Sequence, residues 1–400
     1  MQRQHSKAFY YALFSSLYFV QGVVWAYFIN FNKIYLEEEH HLSLTQIGLF
    51  GSLVLIPWLI KFLMGFLSDR VNLFGLGFRK PYLLIGVVLQ GGLLLLLPLI
   101  NPATSFALFT VVGFLIVLGM TLYDTVNDAL AIDVTPPDEQ GTVQGIMVGA
   151  RAAGLVVLSP VLGLIAGRLG WSAVFILCGL LSLVPLALVV SLREGVAGRR
   201  PFTWGALRGF LQWSVLFLIL FGILYSIVIY GVNGYLSIFL RGRLDIPLST
   251  VGWLGAVVGL GTVLGGIFGG RLTDRWGALR SVVAAVTLAS LAIILFILTP
   301  SFPLAVPVAL LFGFAFGYHE TIYFALSMGF SDRRAAGTMY ALFMAVGNLG
   351  PIIGEGLVGG LADLWGFVPV FILLAAVNFA NVPLVAALFR LKKDGPGHEG

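Results

Sequence analysis

Asp124, Asn127 and Asp128 stand three and four residues apart in an otherwise apolar stretch of this 400-residue chain. On a helix that spacing puts all three on one face. Arg151 lies beyond a short polar turn at 135–140. With that turn at a surface, Asp124 and Arg151 are each about ten residues in, or ~15 Å deep at ~1.5 Å per residue. A charge in hydrocarbon costs at least about 2.5–3.5 kcal/mol on insertion scales, so one retained there faces a cavity or a partner. Adjacent antiparallel helices would bring Asp124 and Arg151 together as an ion pair. Either the pair ties two helices, or Arg151 holds an anionic substrate group while an aspartate exchanges protons.

A second set lies in the other half of the chain. Glu320 and its neighbour His319 sit about eleven residues from the turn at Ser331, and Asn348 is about as deep on the next apolar stretch. No lysine or arginine faces Glu320 at that depth. A carboxyl that gains and loses a proton there is what proton coupling requires; the alternative is a permanently protonated, lipid-shielded side chain. His319 points about 100° away from Glu320, so it need not share a cavity with it. Lys61, eight residues before Asp69, either snorkels to the surface or lines the cavity. Glu355 follows a Gly-Pro-containing run from Gly350, and is either a second titrating site or a pore-rim acid.

Twelve apolar stretches must position these groups, at 9–35, 44–68, 81–100, 105–133, 142–167, 172–192, 211–240, 249–270, 280–299, 304–329, 338–361 and 367–389. A spanning helix needs ~20 apolar residues. Hydrophobic residues make up 59% and charged residues 10% of the chain, and the mean hydropathy is +0.99. No water-soluble fold hides that much apolar surface at this length. The runs are continuously apolar, so they predict helices and not the period-two strands of a barrel. Fifty glycines suit close helix packing in lipid.

The net charge of +5 is unevenly placed. With the N-terminus inside, 17 of the 23 lysines and arginines fall on that side and 4 on the other. This asymmetry puts both termini in the cytoplasm. The basic loops then meet anionic lipid headgroups, which excludes a nucleic-acid partner. Cys178 is the sole cysteine, so no intrachain disulfide or cysteine metal cluster forms. The N-terminus reads as a first membrane helix and not as a removable signal.

The chain is written twice. The polar interval 193–208 separates halves of six spans. Leu44-Thr45-Gln46-Ile47-Gly48-Leu49-Phe50-Gly51 echoes Leu248-Ser249-Thr250-Val251-Gly252-Trp253-Leu254-Gly255. Gly65-Phe66-Leu67-Ser68-Asp69-Arg70 echoes Gly270-Arg271-Leu272-Thr273-Asp274-Arg275. Gly141-Thr142 with Gly154 matches Gly337-Thr338 with Gly350 at the same interval. A duplicated bundle of this kind is the layout of transporters that rock two halves about a central site.

The loop after the second span, G-x-L-x-D-R-x-G with basic residues following, occurs at 65–80 and again at 270–280. On that signature the chain resembles the major facilitator superfamily over nearly its whole length. The closing glycine is Gly277 in the second copy, while Asn72 replaces it in the first. Glycine permits close helix contact, and Asp69 can face the positive end of a neighbouring helix. Gly65, Asp69, Arg70, Gly270, Asp274 and Arg275 are therefore the expected gating residues; the plainer reading is a turn whose charges obey topology.

Tyr18-Phe19-Val20-Gln21-Gly22, Pro57-Trp58-Leu59-Ile60-Lys61 and Gly77-Phe78-Arg79-Lys80-Pro81-Tyr82 are similar to the folate–biopterin transporter branch. Asp124 to Ala129, and the stretch from Thr338, also resemble the muropeptide permease and acetyl-CoA transporter families. Phe62 and Lys80 depart from the folate–biopterin pattern. The superfamily resemblance implies that the first and seventh spans line the cavity. Gln21, Asn30 and Asn233, with Tyr225, Tyr230 and Tyr235, would there offer neutral hydrogen bonds and a stacking surface for a planar substrate; each aromatic equally serves packing.

Several classes are excluded. The fourth span lacks the arginine motif of drug–proton antiporters, no phosphate-binding loop occurs, and no nucleophile–base pair marks an enzyme. Glu37-Glu38-Glu39-His40-His41 reads as a solvated outer loop in preference to a metal site. The expectation is an all-α membrane protein of 12 transmembrane helices in two pseudo-symmetric bundles, at 1–195 and 209–400, joined by a cytoplasmic linker at 196–208. It is a monomer in the cell membrane, with no cofactor. Its expected function is proton-coupled transport by alternating access of a small polar, anionic solute, pterin- or folate-like or another organic anion. The substrate-binding set is Gln21, Asn30, Lys61, Asp124, Asn127, Asp128, Arg151, Tyr225, Tyr230, Asn233 and Asn348; Glu320, Asp128 and Asp124 carry the proton. The alternatives are an uncoupled uniporter or exporter, or a transport-dead sensor, pigment carrier or assembly protein.

Overall fold

Among the described residues, twelve helices long and apolar enough to cross a membrane appear where the apolar runs place them. The computed structural model describes residues 5–136, 139–194, 213–330 and 336–393, and their side chains except at 336–341 and 391–393. The expected linker at 196–208 lies outside the described residues. The helices are α1 (Lys7–Asn30), α2 (Leu44–Arg70), α3 (Lys80–Leu99), α4 (Phe106–Val134), α5 (Gln140–Leu169), α6 (Trp171–Ser191), α7 (Trp213–Leu244), α8 (Leu248–Trp276), α9 (Ala278–Leu298), α10 (Phe302–Gly329), α11 (Leu342–Trp365) and α12 (Phe367–Arg390). No strand occurs among the described residues.

Some spans are broken, and the breaks place side chains. Pro57 withholds a backbone donor from α2, and the helix is interrupted at Ile60 before restarting at Lys61. In α12 the helix breaks after Asn378 and resumes at Asn381, just ahead of Pro383. α1 ends at Asn30, short of the expected Tyr35, because Phe31 leaves the helical region. The Tyr27 hydroxyl donates to Asn32 at 2.9 Å across that break. A short helix and a π-helical turn, Tyr35–Glu39, follow.

The chain forms two compact units. The first gathers α1, the later part of α2, α3 to α6 and the first turns of α8; the second gathers α7, the rest of α8, α9 to α12 and the first turns of α2. Within the second unit the first turns of α2 lie on α11, where Thr45 donates to Asp363 and Ser52 to the Ile352 carbonyl, each at 2.7 Å.

The third sequence echo has a packing cause in each unit. A methyl at Gly154 would strike the Phe19 carbonyl of α1 and come within 3.2 Å of the Gly22 Cα. A methyl at Gly350 would strike Ser226 and the Ile223 carbonyl of α7, the latter at 2.7 Å. Both positions need a residue without a β-carbon because two helix backbones meet there.

Candidate functional site

In the first unit the charged residues of α2, α4 and α5 assemble around α1. The break at Ile60 turns Lys61 toward α4, and its Nζ lies 3.2 Å from Asp124 Oδ2. Gln21 Nε2 donates to the other oxygen, Oδ1, at 2.9 Å. One turn further along α4, Asp128 accepts a hydrogen bond from the Tyr18 hydroxyl at 2.5 Å. Tyr18 and Gln21 are three residues apart, so α1 presents both donors to α4 from one face.

The expected Asp124–Arg151 ion pair is not formed. Lys61 takes the aspartate, since the α2 break brings its ammonium close, where the Nζ also lies over the Trp58 ring, 5.3 Å from the centroid. The Arg151 guanidinium instead sits 5.8 Å from the centre of the Tyr18 ring, a cation–π distance. Among the described residues no carboxylate lies within ion-pair distance of Arg151. The Asn127 carboxamide is fully buried, and neither its oxygen nor its nitrogen has a hydrogen-bond partner among the described residues. Gln21 Oε1 is likewise buried and unpartnered there.

The second unit repeats the arrangement with different chemistry. The Tyr230 hydroxyl of α7 donates to Glu320 of α10, so the carboxylate read as unpaired has a hydrogen-bond donor. The sequence signal for it was weak, because Tyr230 stands among many aromatics. His319 is fully buried and turned from Glu320, with Nδ1 3.1 Å from the Ala315 carbonyl. A carbonyl only accepts, so Nδ1 carries the proton. The ring stacks parallel on Tyr225, centroids 5.9 Å apart. Asn233 is buried on α7, and Asn348 sits at the break within α11. Asn30 donates from Nδ2 to Ser159 Oγ of α5 at 3.1 Å, and Tyr235 donates to the Glu355 carbonyl at 2.9 Å.

The repeated loop motif is built differently in its two copies. A β-carbon at Gly65 would touch the Thr125 methyl at 3.4 Å, and one at Gly270 the Thr321 methyl at 3.4 Å. Thr125 and Thr321 directly follow Asp124 and Glu320, so the same helix pairing carries both acids. Asp69 is ion-paired to Arg79 at 2.6 Å. Buried Arg79 also reaches Asp133 at 2.9 Å and Ser68 Oγ at 2.8 Å. Arg70 lies over the Phe66 ring at 4.0 Å. Asp274 and Arg275 are exposed and make no ion pair among the described residues.

Glu194, at the end of α6, was not singled out by sequence. Its carboxylate accepts from the backbone N–H groups of Phe78 at 2.7 Å and Arg79 at 2.8 Å, and from that of Lys80. These are the unpaired donors at the N-terminus of α3, where a negative charge is favoured. Asn72, the departure from the motif, accepts from the Gly77 N–H at 2.8 Å and closes the loop.

At 37–41 no metal-holding group of His, Cys, Asp and Glu forms among the described residues. His40 packs edge-on against Tyr35 at 4.7 Å, and burial pushes its imidazole below the ordinary 6.5. Burial, then the neighbouring Glu38, pushes Glu37 up.

Comparison with known proteins agrees with this architecture. The sequence pattern of the Major Facilitator Superfamily matches residues 14–355 and 218–400. The folate–biopterin transporter of Synechocystis sp. is 27% identical over 45% of this chain and 36% of its own. The MFS-type transporter YceJ of Bacillus subtilis is 24% identical over 82% of each chain. The anhydromuropeptide permease of Escherichia coli K12 is 26% identical over 61% of this chain and 51% of its own. The chain thus spans about a third to a half of the two relatives named for a substrate. Among solved structures, a bacterial homologue of the human lysosomal transporter Spinster, inward-facing and occupied, superposes with a TM-score of 0.78 at 17% identity, covering 98% of this chain and all of that one. The nucleoside transporter NupG superposes with a TM-score of 0.79 at 14% identity, covering 95% and 99%.

Proposed function

Because this chain belongs to the Major Facilitator Superfamily, we propose that it moves a small organic anion across the cell membrane by alternating access, driven by protons. One observation carries the reading. Lys61 neutralises Asp124 and Tyr18 holds Asp128, while Arg151, beside the Tyr18 ring, has no carboxylate partner among the described residues. A guanidinium in a membrane span that makes no direct ion pair, although its charge reaches Asp128, suits a substrate that brings a carboxylate or other anionic group into contact with it. Tyr18 supplies a flat apolar face next to it, which suits a planar substrate such as a pterin or folate. The unpartnered Gln21 amide oxygen and Asn127 carboxamide supply neutral hydrogen-bonding groups.

Proton exchange falls to Glu320, with Asp128 and Asp124 as further carriers. When ionised, Glu320 accepts the Tyr230 hydrogen bond; when protonated, it carries a proton donor of its own. Asp69 and Arg70, with Asp274 and Arg275 of the second copy, act as gate residues at the ends of the spans. The chain works as a monomer of two bundles, with both termini cytoplasmic, and catalyses no covalent chemistry.

The test is uptake into proteoliposomes of a panel of pterins, folates and other organic anions, with and without an inward pH gradient. Arg151→Gln should raise KM roughly tenfold or more, the loss of a charged hydrogen bond. Glu320→Gln should abolish pH-driven accumulation while leaving substrate exchange. Unchanged KM in Arg151→Gln refutes the anion site, and unchanged accumulation in Glu320→Gln refutes the coupling role. The closed Lys61–Asp124 pair favours a second reading, uncoupled carriage, because a paired aspartate needs no proton; uptake indifferent to pH would select it.

A further inference from the structure

The second unit carries a groove of about 630 Å³ between α7 and α12. Its walls include Phe217, Leu220, Leu224 and Ile227 on α7, facing Pro383 and Ala387 on α12, and every lining residue is apolar. Its origin is local. The break in α12 after Asn378 and the small residues that follow leave a trough beside the large side chains of α7.

Length, position and charge point to one occupant. From Phe217 to Ile227 the helix rises ~15 Å, which is half of the ~30 Å hydrocarbon core, or one leaflet. Both walls belong to membrane-crossing helices. Six spans separate the start of α7 from the end of α12, so these two ends lie on the same side of the bilayer. There the groove runs out toward an aromatic and a cation. Trp213, one turn before Phe217, is 69% exposed. Arg390, three residues after Ala387, is exposed. Tryptophan settles at the headgroup level, and an arginine there attracts an anionic headgroup. Water is excluded from the trough because it would find no polar partner, and a polar solute for the same reason.

We propose that this groove is a specific site for one anionic phospholipid, with an acyl chain lying between α7 and α12 and its phosphate at Arg390. The groove shares no lining residue with the charged clusters of α1, α4 and α10, and the inference stands whatever the transported substrate proves to be.

The experiment uses the full chain purified in mild detergent. Native mass spectrometry should show one retained phosphatidylglycerol, bound more tightly than phosphatidylcholine. Arg390→Gln should lower phosphatidylglycerol affinity about fivefold and remove the preference. Ala387→Trp, which fills the trough, should lower the affinity for both lipids at least tenfold. Should that variant not fold, the wild type decides. Phosphatidylglycerol bearing an acyl-chain diazirine should label peptides containing residues 217–227 and 380–387. Equal affinity for the two lipids overturns the proposal. So does label spread evenly over other lipid-facing helices, or displacement by a free fatty acid but not by phosphatidylglycerol.

Discussion

Lys61→Met tests whether the cation at the α2 break neutralises Asp124. The charged atoms lie 3.2 Å apart, with the side chains 29% and 4% exposed. At an effective dielectric of ~20 two unit charges at that distance attract by about 5 kcal/mol. The lysine keeps part of its side chain in contact with solvent and both groups lost water to meet, so the expected net coupling is about 2 kcal/mol. Removing Lys61 leaves Asp124 buried with only the Gln21 hydrogen bond, at a cost of about 3 kcal/mol. Asp124→Asn keeps a polar partner for Gln21 and frees the lysine to snorkel, costing about 1 kcal/mol. The double variant should then lose only about 2 kcal/mol, less than the two single losses combined. For a unit of this size 1 kcal/mol shifts the midpoint by ~2–4 °C. Lys61→Met should therefore melt roughly 6–12 °C lower, and adding Asp124→Asn should restore part of the loss. The assay is thermal unfolding of the detergent-solubilised protein followed by size-exclusion fluorescence. Strict additivity of the two substitutions would refute the pairing.

Glu194→Ala removes the acceptor for three N–H groups at the start of α3. It should cost about 1–2 kcal/mol and raise amide exchange at 78–80. Gly22→Ala puts a methyl against the Arg151 carbonyl and within 2.9 Å of Leu155 N. It should cost about 1–3 kcal/mol in a melting assay, whereas Gly92→Ala, which meets nothing within 4 Å, should be neutral or slightly stabilising. The His40 imidazole is held below 6.5, chiefly by burial, so the ordered turn binds fewer protons than the opened one. Its stability is present above pH 6.5 and is lost as pH falls through the window below that value. Rate-corrected hydrogen exchange at 36–42 should accelerate between pH 7 and pH 5, and His40→Phe should flatten that response.

Much of the fold was legible because lipid makes a simple demand. Every backbone polar group in hydrocarbon must be paired within its own segment, so a continuous apolar run of sufficient length reads as a helix. Most span ends agree to within about four residues; α1 stops five residues early, where Phe31 breaks the helix before the polar run at 37–41, and α8 runs six residues past the expected 270, to Trp276. The glycine echoes were legible as well, since Gly154 and Gly350 each mark a backbone-to-backbone approach. Depth counted along α4 and α5 placed Asp124 and Arg151 at the same level but did not say which neighbour would reach first. Three side chains compete there, and the break in α2 at Ile60, which turns Lys61 toward α4, decides the winner.

Composition and periodicity by themselves determined a twelve-helix membrane protein with an internal repeat, because insertion energy and hydrogen-bond closure act residue by residue along the chain. Only tertiary structure decided the partners. Lys61 and not Arg151 takes Asp124, Tyr18 and Tyr230 take Asp128 and Glu320, Arg79 gathers Asp69 and Asp133, and Glu194 caps α3. Those choices depend on helix breaks and interhelical rotation over a few ångströms, and a charge interaction in low dielectric changes steeply over that distance.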